Sequence, residues 1–148
     1  LNKRVIKFNR FNQPQVAFGN AADNLGQLLG PCQLAISDKN KIFVSDPGQK
    51  AVVVFDYLGN FLTEIKNPDF QQPLGISATR LDELVVADPE SHSIYFFSDG
   101  QSFSGRLNLE EQNIRPVDVS LLHMRGKTDQ FLYVLTAHNC LVFKKSGN

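Results

Sequence analysis

Polar and apolar positions along this chain fall into short alternating runs separated by turn residues, and the runs recur in a fixed order. Three of them open on proline: Pro31-Cys32-Gln33-Leu34-Ala35-Ile36, Pro73-Leu74-Gly75-Ile76-Ser77-Ala78 and Pro116-Val117-Asp118-Val119-Ser120-Leu121. Their prolines stand 42 and 43 residues apart. A side-chain period of two predicts a strand in each. A second strand follows each one: Ile42-Phe43-Val44-Ser45-Asp46, Leu84-Val85-Val86-Ala87-Asp88 and Leu132-Tyr133-Val134-Leu135-Thr136. Asp46 and Asp88 precede a proline, where a carboxylate accepts turn N–H groups and the ladder stops, so both are expected to cap turns. Thr136 takes that place in the third copy.

A third strand occurs four times, over 3–9, 50–56, 92–98 and 138–144, each with a phenylalanine near its end: Phe8, Phe55, Phe97 and Phe143. Phe55, Phe97 and Phe143 are expected to be buried between sheets. The residues just beyond, Asn12-Gln13, Gly59-Asn60, Gly100-Gln101 and Gly147-Asn148, suit hairpin turns that need positive φ. A weaker, more polar fourth strand follows three of these turns, over 16–18, 61–65 and 103–107. Sustained helical periodicity is absent; short helices near 20–29 or 109–112 would be incidental. Four short strands per repeat of this length are the signature of β-propeller blades.

The strings Gly30-Pro31-Cys32-Gln33-Leu34-Ala35, Phe43-Val44-Ser45-Asp46 and Val52-Val53-Val54-Phe55-Asp56-Tyr57-Leu58-Gly59 resemble the NHL-repeat family. The likeness is closest over 30–65, good over 73–107 and degraded over 115–148. There Thr136 replaces the aspartate, and a basic loop, His123-Met124-Arg125-Gly126-Lys127, is inserted. The expected class is therefore all-β: a single segment, 1–148, of NHL-like blades of four antiparallel strands. It divides into the outer half of a blade (1–19), two full blades (30–66 and 72–108) and a blade without its last strand (115–148).

About three and a half blades do not close a ring, since closed propellers have 4 to 8. The flanks at 3–9 and 132–144 are expected to pack on more protein: further blades of a longer chain, a second copy in a homodimer, or a partner subunit. A chain that starts in mid-blade at Leu1 and ends in mid-blade favours the first.

Composition narrows function mainly by exclusion. Fifteen basic residues balance fifteen acidic ones, which argues against a general electrostatic grip on nucleic acid or lipid. No apolar run approaches the roughly 20 residues of a membrane span. Cys32 and Cys140 fit no metal or redox spacing. Each sits in an apolar run and reads as a small buried hydrophobe; the repeat puts them two blades apart, against a disulfide.

Some propellers similar to this one are lyases, lactonases or hydrolases, which need ionisable groups converging on the channel. The innermost strands offer Gln33, Ser77, Asp118 and Ser120, one carboxylate and no histidine. His92 and His138 share a repeat position with Lys50, five residues before the closing phenylalanine, and read as exposed loop residues with no bound metal. His123 reads as more solvated still. No cofactor is implied.

Some NHL domains bind single-stranded RNA on the face carrying the loops between second and third strands. That demands clustered cations and aromatics, whereas these loops offer only Lys50 and the adjacent Arg115 as firm cations, offset by Asp46, Asp88 and Glu90, and no aromatic. The basic residues Lys3, Arg4, Lys7 and Arg10 alternate with Val5 and Phe8 and read as a solvated strand face. The expected function is a non-catalytic scaffold for protein–protein interaction, with Gln49, Lys50, Glu90, His92, Arg115, His138 and Asn139 as its partner-binding loops. The alternatives are a single-stranded RNA-binding domain, or part of a propeller hydrolase or lyase whose catalytic residues lie in other blades.

Overall fold

The computed structural model describes residues 3–20, 25–79, 82–123 and 129–145. Among these residues thirteen strands make four antiparallel sheets, which do not close into a ring. The first sheet pairs β1 (Val5–Phe8) with β2 (Pro14–Phe18). The second runs from β3 (Leu34–Ile36) through β4 (Lys41–Asp46) and β5 (Ala51–Asp56) to β6 (Phe61–Lys66). The third repeats that order with β7 (Ile76–Ala78), β8 (Leu84–Asp88), β9 (Ser93–Ser98) and β10 (Ser102–Asn108). The last has β11 (Asp118–His123), β12 (Gln130–Leu135) and β13 (Cys140–Lys145). No α-helix occurs among the described residues; 109–112 is a turn, and 21–24 of the other helix expectation lie outside them.

Each proline-led run pairs before its regular strand begins. Cys32, Leu74 and Val117 donate their N–H to the carbonyls of Ser45, Ala87 and Leu135. That shared bond fixes the repeat register. The hairpin turns take positive φ where the sequence implied it, at Asn12 (59°), Gly59 (92°) and Gly100 (74°); Gly147-Asn148 lies outside the described residues.

Cores lie between the sheets. Phe43, Val52, Val54, Leu84, Val86 and Tyr95 join the second sheet to the third. Val85, Ile94, Val119, Leu132 and Val134 join the third to the fourth. Phe18, Leu28, Ile42, Val53 and Phe55 join the first to the second. β4, β5 and β8 are apolar on both faces because both are covered, whereas β1 and β12 alternate between covered and exposed positions.

The closing phenylalanine of β5, β9 and β13 turns towards the preceding sheet. Phe55 and Phe97 are buried there. Phe143 faces the same way but is only half-buried, a correction to the expectation: β13 is an edge strand with no fourth strand beside it. Phe8 is exposed, having no preceding sheet among the described residues to meet.

The cysteines are a second correction. Both are free and exposed. Cys32 belongs to the inner-strand segment with exposed Leu34 and Ile36, beyond the reach of the two-stranded first sheet; Cys140 lies beside Leu135 on the uncovered face of the fourth.

Inner strands of neighbouring blades are stitched together. Gln33 Oε1 accepts Ile76 N–H at 3.2 Å, and Ser77 Oγ accepts Leu121 N–H at 3.1 Å. An ion-paired carboxylate adds to the first of these junctions. Asp82, 1% exposed, meets Lys41 Nζ at 3.1 Å and Lys39 Nζ at 3.5 Å. Burial works against its charge, but the Ser37 hydroxyl and the two ammonium groups outweigh it and hold the pKa below the usual carboxylate value. A depressed folded-state pKa contributes stability above about pH 4, lost as pH falls through the folded value. Asp82→Asn is therefore expected to cost about 1–2 kcal/mol at pH 7. The difference from wild type should vanish in urea titrations run below the folded pKa; a difference independent of pH would refute the assignment.

Candidate functional site

The loops between second and third strands, 47–50, 89–92 and 136–139, share one rim of the blades with the inter-blade linkers. The turn after β4 is a single 3-10 turn, Pro47–Gln49, and Lys50 follows it in the left-handed region, φ 52°. His92 has the same conformation at the same repeat position, φ 49°.

Asp46 and Asp88 organise this rim. Asp46 accepts the N–H groups of Leu29 and Gly30, both at 2.7 Å, and the Gln49 side-chain amide at 2.8 Å. Asp88 accepts Gln71 and Gln72 N–H at 2.7 and 2.9 Å with one oxygen, and Glu90 and Ser91 N–H at 3.2 and 3.1 Å with the other. Both carboxylates are fully buried. Turn capping, expected of both from the sequence, is half of Asp88's role and is missing at Asp46, which accepts no backbone N–H of the Pro47–Gln49 turn. The other half, shared with Asp46, is a clamp on the linker that delivers the chain into the blade.

The seven candidate loop residues separate into fixed and presented groups. Gln49 is spent internally, donating to Gln27 O at 3.0 Å and to Asp46. Lys50 donates to Gln71 Oε1 at 3.1 Å. Glu90 and Arg115 form an ion pair between the third and fourth sheets. His92 departs from its expected exposure: it is half-buried and donates from Nδ1 to Ile114 O at 3.1 Å, tying the linker of the next blade. His138 and Asn139 are exposed, as is Arg115. These last three line a cleft of about 640 Å³ with an apolar floor that includes Leu74, Ile114 and Leu141. A smaller hollow of about 250 Å³, between Asp69, Glu90, His92 and Arg106, adjoins it.

Sequence reasoning did not single out Arg106, which donates to Ser93 Oγ at 2.8 Å and Asp69 Oδ2 at 3.2 Å while its guanidinium stacks over Tyr95. Its only signal was one charge in the weak fourth strand. His123 is exposed, as expected, but ends β11 rather than lying in a loop, its Nε2 2.8 Å from Glu83 Oε2 in the neighbouring blade. Met124, Arg125, Gly126 and Lys127 of that insertion lie outside the described residues. Of the basic N-terminal residues, Lys7 donates to Tyr57 O at 3.4 Å and rests over that ring on the opposite rim.

Three of the four polar inner-strand residues are committed to structure, while Ser120 is exposed. Gln33 and Ser77 stitch blades, and Asp118 Oδ1 accepts its neighbour's Val119 N–H at 2.8 Å. Among the described residues no group of three His, Cys, Asp or Glu side chains is placed to hold a metal ion, and no helix is long and apolar enough to cross a membrane.

No family model matches the chain. A curated relative, the human E3 ubiquitin-protein ligase NHLRC1, is 29% identical over 110 residues, covering 71% of this chain and 28% of that protein. Virginiamycin B lyase from Staphylococcus aureus superposes on 98% of the chain with a TM-score of 0.67 at 15% identity. These blades are NHL-like. Hydrazine synthase from Kuenenia stuttgartiensis gives a TM-score of 0.66 over 99% of the chain at 15% identity, and a gluconolactonase from Xanthomonas campestris 0.56 over 79% at 18%. At such identities the structures speak to the propeller fold alone. The NHL-like blades span 49%, 45% and 38% of those three chains, so they represent half or less of each.

Proposed function

We propose that the blades are a non-catalytic scaffold whose linker-side rim receives a protein partner. The observation that carries this is the cleft between the last two blades, where an apolar floor is edged by exposed Arg115, His138 and Asn139. Apolar floor with a few placed polar groups is the ordinary make-up of a recognition pocket. Lys50, Glu90 and His92 are pinned to neighbouring linkers, so the rim is rigid and a partner loses little loop entropy by ordering it. A relative named as a ubiquitin-protein ligase is in keeping with a protein as ligand.

The test is co-purification. Combined alanine substitution of Arg115, His138 and Asn139 should abolish capture of partner by the full-length protein. Alanine at Tyr57 and Leu58, on the opposite rim, should leave it intact. Capture that survives the first variant and fails with the second would assign the partner to the other rim.

A second reading, catalysis in other blades of the ring, draws on the likeness in fold to lyases and a lactonase. It predicts that ionisable residues brought by those blades, rather than the loop residues named above, control any turnover.

Either reading has more protein on the open flanks. Leu34 is 51% exposed on a face where its repeat counterparts Ile76 and Val119 are buried, and Val142 is 55% exposed on one where its counterpart Val54 is buried. Cys32 and Cys140 report on those faces. Both thiols should react rapidly with iodoacetamide in the isolated 148-residue chain and at least about tenfold more slowly once the flanks are covered, since a buried thiol is shielded from reagent. Equal rates in the complete protein would show the flanks remain open.

A further inference from the structure

The third repeat lacks half of the clamp described above, and the gap coincides with the cleft. Leu135 accepts the N–H of Val117 as Ser45 and Ala87 accept those of Cys32 and Leu74, so Thr136 is the structural counterpart of Asp46 and Asp88. By the same register, Arg115 is the counterpart of Gly30 and Gln72, whose N–H groups those carboxylates hold at 2.7 and 2.9 Å.

A carboxylate has two oxygens and Asp88 uses one for its own turn and one for the linker. The single Thr136 hydroxyl oxygen is consumed by the turn, accepting Asn139 N–H at 2.9 Å and His138 N–H at 3.3 Å. No hydrogen bond joins it to Ile114 or Arg115 among the described residues; Ile114 N–H turns instead to Leu109 O at 3.1 Å. The carboxylate position of the clamp therefore stands vacant, and the cleft of about 640 Å³ is lined by Arg115, Thr136, His138 and Asn139 with no acidic side chain.

We propose that this vacancy is filled by a carboxylate of the partner: an aspartate or glutamate side chain in an extended acidic peptide, with an aliphatic neighbour on the floor of Leu74, Ile114 and Leu141. The inference rests on the protein-binding reading of this rim and names its ligand class. The chain's own blades show the geometry of the interaction, a carboxylate received by linker N–H groups; in the third repeat the Arg115 N–H is the linker donor at that place, since Ile114 N–H is held by Leu109 O. The Arg115 guanidinium adds a charged donor; its pairing with Glu90 is exposed on both sides and leaves further N–H groups to share. His138 and Asn139 stand beside it and offer further side-chain N–H donors to an acid.

The experiment is a calorimetric titration of the full chain with a blocked pentapeptide, Ser-Leu-Asp-Leu-Ser, and its Asn counterpart. Wild type should bind the Asp peptide about tenfold more tightly than the Asn peptide, the size expected of one charge-assisted contact. Thr136→Asp supplies the missing carboxylate from within. It should abolish peptide binding while raising the melting temperature. Should that variant fold poorly, Arg115→Gln, at an exposed position, still decides the matter by a loss of about fivefold or more with folding unchanged. Equal binding of the two peptides, no binding of either, or unaltered binding by Thr136→Asp would overturn the proposal. Loss of the carboxylate preference with partner capture still dependent on Arg115, His138 and Asn139 would sink this inference alone; loss of that dependence would sink the rim reading itself.

Discussion

Replacing Asp88 by alanine is expected to destabilise the protein by about 3–5 kcal/mol: hydrogen bonds to a charged acceptor contribute about 1.5–3 kcal/mol each, and the freed donors, on exposed Gln71 and Glu90 and half-buried Gln72 and Ser91, regain part of that from water. Asp88 is fully buried and receives four backbone N–H groups, two from the turn it caps and two from the linker at Gln71 and Gln72. Losing it frees the linker from the blade, so the effect should be local as well as global. Hydrogen exchange should accelerate first at the Gln71 and Gln72 amides. The matching change in the third repeat, Thr136→Val, should cost only about 1 kcal/mol, because its hydroxyl caps an exposed turn and holds no linker. Urea unfolding of the two variants measures the contrast. Equal losses would mean that the clamp contributes nothing beyond turn capping.

Gly75→Ala should be nearly as damaging, about 3 kcal/mol, the upper end of what overpacking costs. A methyl at Gly75 would stand 2.4 Å from Asp118 Cα and 2.7 Å from Val117 O, and both are backbone of the next blade's innermost strand. Flexible side chains can swing away from such a clash; strands anchored in a sheet cannot. The inner edges of the two blades would have to part, straining the Ser77–Leu121 stitch at 3.1 Å that holds them. Gly105→Ala is the control. Nothing lies within 4 Å of a methyl there, and removing glycine's excess unfolded-state freedom should leave stability unchanged or slightly higher. A melting curve for Gly75→Ala that overlays wild type would contradict the close approach of the blades.

The blade architecture was legible because it is written in repetition. One strand can be misread, but a proline, an aspartate and a phenylalanine returning at nearly constant spacing fix register across the chain. Local turn chemistry was equally readable at Asn12, Gly59 and Gly100, since positive φ selects few residue types. Exposure at the flanks was harder to see. Cys32, Cys140 and Phe143 occupy apolar runs like those inside the molecule, and only the count of strands on either side decides whether such a run is covered.

The loop rim was located by its strand connections, but its working parts were not. Asp46 and Asp88 read as turn caps because the sequence shows the adjacent Pro47 and Pro89; their second partners lie sixteen and seventeen residues upstream, visible only in three dimensions. His92 escaped notice as a linker tie for the same reason, and Asp82 because its lysines belong to the preceding blade. The substitution of Thr136 was read as a weaker turn residue. Its larger consequence, an unfilled carboxylate position beside Arg115, follows only once the clamp in the other two blades is known.

The claim that the linker-side rim receives a protein is tested most directly by site-specific photo-crosslinking in the full-length protein. A photoreactive residue placed at 138, exposed beside the cleft, should give discrete adducts with a protein partner. The same residue at position 58, exposed on the opposite rim, should give none. Adducts from position 58 with none from 138 would contradict the account.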